Sequence, residues 1–305
     1  MTPNARGALL MMASMAGFTL NDTCIKATDG ALPLAQLLTL RGAMSTLLIF
    51  GLARYLGVLR FDLSRRDWLL VGLRSLSETA AAYFFLTALL NMPLANVTAI
   101  LQVLPLTVTL GAALFFGDPV GWRRMMAIAV GFAGMLLIVR PGPNGFSPDA
   151  LYALAAVVCV TVRDLATRRM SVGVSSMSVT LISSLTVFLF FAVGALGVDW
   201  QPVDMRLGLL LIGSSVFILG AYLFSVMVMR VGDVSVIAPF RYTGLIWALV
   251  LGWLAFGDWP DGLTLIGAGI VVATGVFTLY REHRAARAAA RAAVASRVQC
   301  PSHRR

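Results

Sequence analysis

The chain is 305 residues long, 59% of them apolar and only 12% charged, with a formal net charge of +10. An average soluble domain carries about a quarter charged residues, and a soluble fold needs that polarity to cover its core; ten spans of about 20 residues would leave no room for a soluble catalytic domain. The positive charge does not point to nucleic acid, because the basic residues fall between apolar runs and in the C-terminal tail, where anionic lipid is the partner within reach.

Apolar length and breakers predict spans at roughly 6–28, 33–56, 67–90, 94–116, 121–140, 149–170, 174–197, 206–230, 234–256 and 262–281. The first run reaches full spanning length with no small-residue cleavage site behind a short apolar core, so it reads as a retained helix and not a signal peptide. Pro33 opens the second span, Asn91-Met92-Pro93 separates the third from the fourth, and Gly117-Asp118-Pro119 the fourth from the fifth. The longest break, Pro141-Gly142-Pro143-Asn144-Gly145, falls near the middle, and Asp258-Trp259-Pro260-Asp261-Gly262 separates the last two spans. Pro105 and Pro239 fall inside the fourth and ninth spans, where a proline frees a carbonyl and bends the helix.

Lys and Arg are retained on the cytoplasmic side of a membrane protein. With the N-terminus inside, Arg6, Arg54, Arg60, Arg65, Arg66, Arg123, Arg124, Arg168, Arg169 and Arg230 all fall inside, with seven tail arginines, and only Lys26, Arg140 and Arg206 fall outside. Moving one span would scramble that separation, so both termini are expected in the cytoplasm of a multi-pass inner-membrane protein.

The halves resemble each other. A shift of 140 residues lays Phe116-Gly117-Asp118 on Phe256-Gly257-Asp258, and a shift of 142 lays Asp22 and Lys26 on Asp164 and Arg168. Five spans per half is an odd number, so the copies have opposite orientation, the inverted repeat of secondary transporters. The expected architecture is an all-α integral membrane fold: a first repeat over 1–145, a second over 146–281, and a basic cytoplasmic tail over 282–305. Arg284, Arg287 and Arg291 recur in that tail at helical spacing, suited to an anionic inner leaflet.

Ionisable residues inside a bilayer are costly and mark a pathway or a partner. Asp22 and Lys26, Arg74 and Glu78, and Asp164 and Arg168 each share a helix face at i, i+4, where mutual neutralisation competes with a substrate role. Arg163 adjoins Asp164. Arg41 and Arg241 have no local carboxylate at helical spacing, so each needs a partner from another helix or from a solute. Asn21, Gln102, Tyr83, Tyr222 and Tyr242 can hydrogen-bond a solute, and Tyr242 beside Arg241, with Trp247 a little further on, could hold a flat or anionic group. The substrate-binding candidates are Asp22, Lys26, Arg41, Arg74, Glu78, Gln102, Arg241 and Tyr242. The small-residue runs at Gly131–Gly134 and Gly267–Gly269 read as close helix packing.

Cys24, Cys159 and Cys300 make no disulfide framework, and His283 and His303 both sit in the tail, so a buried histidine metal site is excluded. No metal-ligand spacing, phosphate loop or nucleophile elbow is present, and no cofactor is expected. A membrane-embedded enzyme would need a convergent acid–base or metal cluster on one face; a non-transporting scaffold would have little use for matched intramembrane charges. The chain leaves a homodimer open.

Ten spans, an inverted repeat and a Gly-Asp after the fourth and ninth spans (Gly117-Asp118, Gly257-Asp258) resemble the EamA type of the drug/metabolite transporter superfamily, over residues 6 to 281. The family's usual motif is Gly-Glu, from which Gly-Asp is a conservative departure. Asn21-Asp22-Thr23-Cys24-Ile25-Lys26, followed by Arg41, is similar to a subgroup holding riboflavin-uptake and S-adenosylmethionine-uptake carriers. The resemblance implies carriage of a small polar metabolite by alternating access. Riboflavin uptake is the favoured expectation, through stacking on Arg241, Tyr242 and Trp247. S-adenosylmethionine uptake, with Asp22 or Glu78 at the cationic end and Arg41 at the carboxylate, and export of amino acids or metabolites are the alternatives.

Overall fold

In the computed structural model the described backbone covers residues 2–118, 120–140, 147–171, 173–228 and 237–299, and the described side chains exclude 226, 282, 283 and 285–299. The predicted break at 141–145, Pro119, Arg230, Cys300 and His303 lie outside the described residues, as do the side chains of His283, Arg287 and Arg291.

Every regular element among the described residues is helical: α1 (Pro3–Lys26), α2 (Leu34–Tyr55), α3 (Arg65–Asn91), α4 (Leu94–Leu101), α5 (Leu104–Phe116), α6 (Trp122–Val139), α7 (Pro148–Arg168), α8 (Ser176–Gly194), α9 (Met205–Val228), α10 (Thr243–Phe256) and α11 (Gly262–Gln299), with 3₁₀ turns at Ala195–Gly197 and Ala238–Tyr242. They provide the ten spans long and apolar enough to cross a membrane. α4 with α5 forms the fourth span; the 3₁₀ turn Ala238–Tyr242 with α10 forms the ninth. Large apolar side chains such as Leu47 (70% exposed), Phe115 (75%) and Leu196 (85%) stand on the outside of the bundle. In water that belt would be a liability; in hydrocarbon it is the solvated surface.

Local chemistry sets the ends. Thr2, Ser64, Ser147 and Ser175 each precede a helix and accept a backbone N–H from its first turn, at 3.1–3.4 Å. Asp261 does the same for α11 by accepting from Thr264 N at 2.9 Å, and it pairs with Arg140. The Thr264 backbone N–H first, with its hydroxyl, and then Arg140 hold its carboxyl below the ordinary carboxylate range. Pro105 stands in the first turn of α5 and Pro239 in that of the 3₁₀ turn. Both predicted bends are thus breaks in the helix, because proline offers no N–H to continue the ladder. The tenth span continues as helix to Gln299.

Helix packing carries the repeat. α3 lies along α7 and α1 along α9; α2 pairs with α8, α4 with α10, and α6 with α11. Replace each span by the one five places on, and this set of neighbours maps onto itself. The secondary contacts obey the same exchange: α3 with α8 answers α2 with α9, and α1 with α10 answers α5 with α7. At the α6–α11 seam a Cβ on Gly134 would stand 2.9 Å from the Gly267 carbonyl oxygen, and one on Gly267 2.5 Å from the Gly134 oxygen. The glycines let the two backbones touch, as small residues do between membrane helices.

Candidate functional site

Three arginines and three carboxylates converge between the halves. Arg163 of α7 reaches Glu78 of α3 at 3.1 Å and Asp164 at 2.8 Å. Arg74 of α3 donates to Ser183 of α8 at 2.5 Å and to Thr167 of α7 at 3.0 Å, and Ser183 also meets Ser75 at 3.0 Å. Arg41 of α2 donates to Asn21 Oδ1 at 3.2 Å, and Asn21 Nδ2 donates to Asp22 at 2.8 Å. The buried Asn21 therefore couples a guanidinium to a carboxylate through one amide.

The i, i+4 pairs of the sequence are not the ion pairs of the structure. Glu78 takes Arg163 in place of Arg74, and Asp22 takes Asn21 in place of Lys26. Arg168 takes Asp118 at 3.1 Å in place of Asp164. Helical spacing tells which residues share a face, not which neighbour that face meets; α3 lies against α7, so Glu78 finds the Arg163 fork there.

Against the Arg41, Arg74 and Glu78 side of this cluster a cavity of about 100 Å³ opens between α2, α3, α8 and α9, lined also by Ser45, Ser183 and Tyr222 among others. Two of its polar atoms, Arg41 Nε and Ser45 Oγ, are buried with no hydrogen-bond partner among the described residues. Such atoms cost stability unless a ligand completes them. A second cavity, of about 490 Å³, shares Ile49, Thr180 and Tyr222 with the first and runs towards Arg60, Gly173 and Ser175, in the α2–α3 and α7–α8 loops. At the other face Gln36 closes the bundle by exchanging hydrogen bonds with the Gln201 backbone, donating at 2.7 Å and accepting at 2.9 Å.

The eight residues chosen from sequence divide. Asp22, Arg41, Arg74 and Glu78 belong to the central cluster. Gln102 lies at the α4–α5 break and donates to the Tyr242 carbonyl at 3.4 Å, joining the two broken spans. The Tyr242 hydroxyl is buried without a partner among the described residues. Arg241 points elsewhere, into a separate cavity of about 520 Å³ that it shares with Asp118, Asp164 and Arg168. The stacking clamp expected of Arg241, Tyr242 and Trp247 is therefore not assembled: adjacent residues on a tight turn diverge, one outward and one into the bundle. Lys26 turns its ammonium to the carbonyls of Leu89 (3.3 Å) and Met92 (2.7 Å). Arg163, Ser45, Ser183 and Tyr222 join the site without being among the eight; Arg163 was visible beside Asp164 and Tyr222 among the polar residues of the spans, but single serines in apolar helices leave no pattern to read.

The sequence model of the EamA-like transporter family matches residues 5–140 and again residues 148–280. The chain belongs to that family. An S-adenosylmethionine uptake transporter of Rickettsia bellii is 27% identical over 63% of this chain and 66% of its own length, just under two thirds of that relative. A pseudopaline exporter of Pseudomonas aeruginosa is 27% identical over 87% of this chain and 93% of its own. A riboflavin transporter of Vibrio cholerae is 29% identical over 64% and 66%. One solved crystal structure shares the fold, with a TM-score of 0.59 and 18% identity over 89% of this chain and 95% of that one.

Proposed function

We propose that this EamA-family membrane protein is a secondary carrier for a small zwitterionic metabolite bearing a carboxylate, of the S-adenosylmethionine type, moved by alternating access across a bacterial inner membrane with both termini cytoplasmic. The observation that carries the reading is the pair of buried, unanswered atoms at the central cavity, Arg41 Nε and Ser45 Oγ. A carboxylate accepts from both, whereas a neutral solute leaves the guanidinium charge unmet. Glu78 and Asp22, in the same cluster, supply the opposite sign for a cationic end. Arg74 braces the α3–α8 wall through Ser183. The Rickettsia relatives that carry S-adenosylmethionine agree with that charge pattern. Riboflavin uptake is the second reading, favoured by the Vibrio cholerae relative and by Tyr222 at the cavity wall.

The test is counterflow in proteoliposomes with labelled S-adenosylmethionine, riboflavin and a panel of amino acids. Exchange of a carboxylate-bearing solute is expected, and Arg41→Gln lowers it at least tenfold, about 1.4 kcal/mol of binding, with unchanged protein in the membrane. Riboflavin exchange that survives Arg41→Gln overturns the zwitterion reading; loss of the protein itself assigns Arg41 to structure.

A further inference from the structure

The Phe-Gly-Asp sequence that repeats at 116–118 and 256–258 is held the same way in both halves. α5 and α10 end on Gly117 and Gly257, at φ 70° and 71°. The next amide then reaches back six residues, Asp118 N to Ala112 O at 3.4 Å and Asp258 N to Gly252 O at 3.2 Å. This close of a helix needs the left-handed residue that only glycine supplies cheaply. It uses only the aspartate backbone, so the carboxylate plays no part in the cap and stands just beyond the helix end.

Each end receives cations from the first helix of the opposite half. Arg168 of α7 pairs with Asp118 at 3.1 Å, and the Arg169 guanidinium lies over the Phe116 ring at 3.9 Å. In the mirror position the Lys26 ammonium of α1 lies over the Phe256 ring at 5.4 Å, two residues before Asp258 in the chain. The sequence shifts that relate the halves carry Lys26 onto Arg168 and Asp118 onto Asp258. One lock closes at the end of the first span and its counterpart at the end of the sixth, five crossings away, hence on the opposite membrane face. Both locks tie the two halves together, and the Arg168–Asp118 pair is about half-exposed, open to water and easily parted.

We propose that Lys26 with Phe256-Gly257-Asp258, and Arg168 and Arg169 with Phe116-Gly117-Asp118, are two symmetry-related gate latches, one per membrane face, that release in alternation. The assignment rests on the carrier reading above. It moves Lys26 out of the substrate-binding set: its ammonium is occupied by the gate and by the Leu89 and Met92 carbonyls. It also explains the Arg241 cavity, whose wall includes Asp118 and Arg168 and which is therefore the vestibule over one latch.

The test needs no substrate. In a chain with Cys24→Ser, Cys159→Ser and Cys300→Ser, a reporter Ser45→Cys at the central cavity is labelled with a membrane-impermeant methanethiosulfonate in right-side-out and inside-out vesicles. Lys26→Met and Asp258→Asn each raise labelling several-fold from the face where α1 ends and lower it from the other. Asp118→Asn does the reverse, and Arg168→Gln stands in for it should that chain fail to reach the membrane. The asparagines keep the backbone cap, so a purely structural role of the aspartates predicts no sided change. Shifts in the same direction for both latches overturn the proposal. So does a reporter reached from both faces that ignores every substitution, an outcome that leaves the carrier reading standing. A reporter reached from one face alone in all variants overturns both.

Discussion

Ser45 is a small hydroxyl on α2, one turn beyond Arg41, facing the same cavity with no partner for its oxygen among the described residues. A buried polar atom left unmatched costs about 1–3 kcal/mol, so the unliganded protein loses nothing by giving it up. Ser45→Ala is expected to leave the melting temperature in detergent unchanged or higher while raising the substrate KM several-fold, worth about 1 kcal/mol of hydrogen bonding. A lower melting temperature with unchanged KM would make the hydroxyl a structural one. At this scale the sequence was informative for charge and silent for serines. Arg41 stood out because an arginine in an apolar run without a neighbouring carboxylate is conspicuous. Ser45 and Ser183 did not, since a serine in a membrane helix can turn its oxygen to its own backbone and needs no partner. The partners of Arg74, Glu78 and Lys26 were likewise hidden, because each lies on another helix.

Helices α6 and α11 show what an element-scale pattern can and cannot tell. Gly131, Gly134 and Gly267 announced a close seam, but not that the seam joins the last span of one half to the last span of the other. There a side chain at 267 would meet the Gly134 carbonyl oxygen, backbone that cannot move aside as a flexible side chain would. Gly267→Ala should therefore cost about 1–3 kcal/mol as an overpacked contact, seen as a lower melting temperature, with the residual folded protein still exchanging substrate. Gly269, two residues on, has open space around its Cβ position, so Gly269→Ala is the matched control and should be neutral. Equal effects at the two positions would refute the close-contact account. The prolines were legible in the same partial way: Pro105 and Pro239 marked where the fourth and ninth spans depart from a continuous helix, while the Gln102–Tyr242 bond that ties the two breaks together lay beyond any one-dimensional pattern.

Ten spans and the twofold relation of the halves were readable because both leave periodic traces: apolar length for the spans, and a near-constant shift for the repeat. Membrane orientation rests on a different trace, the sorting of Lys and Arg between alternate loops. Three residues stand against that sorting, Lys26, Arg140 and Arg206, and the structure accounts for all three. Lys26 is bound to the Leu89 and Met92 carbonyls, Arg140 pairs with Asp261, and Arg206 donates to the Ala27 carbonyl at 3.2 Å. Each is folded into a contact on its own face, so its position serves packing and need not follow the sorting. A reporter active only in the cytoplasm should accordingly work when fused after Arg281 and fail when fused near Pro143. Neutralising Arg140 and Arg206 together should leave that pattern intact. Removing Arg54, Arg60, Arg65 and Arg66 should weaken it, because those arginines lie in and beside the short α2–α3 loop that the sorting depends on. The opposite reporter pattern would invert the molecule in the membrane and exchange the faces of the two latches, while leaving their alternation untouched.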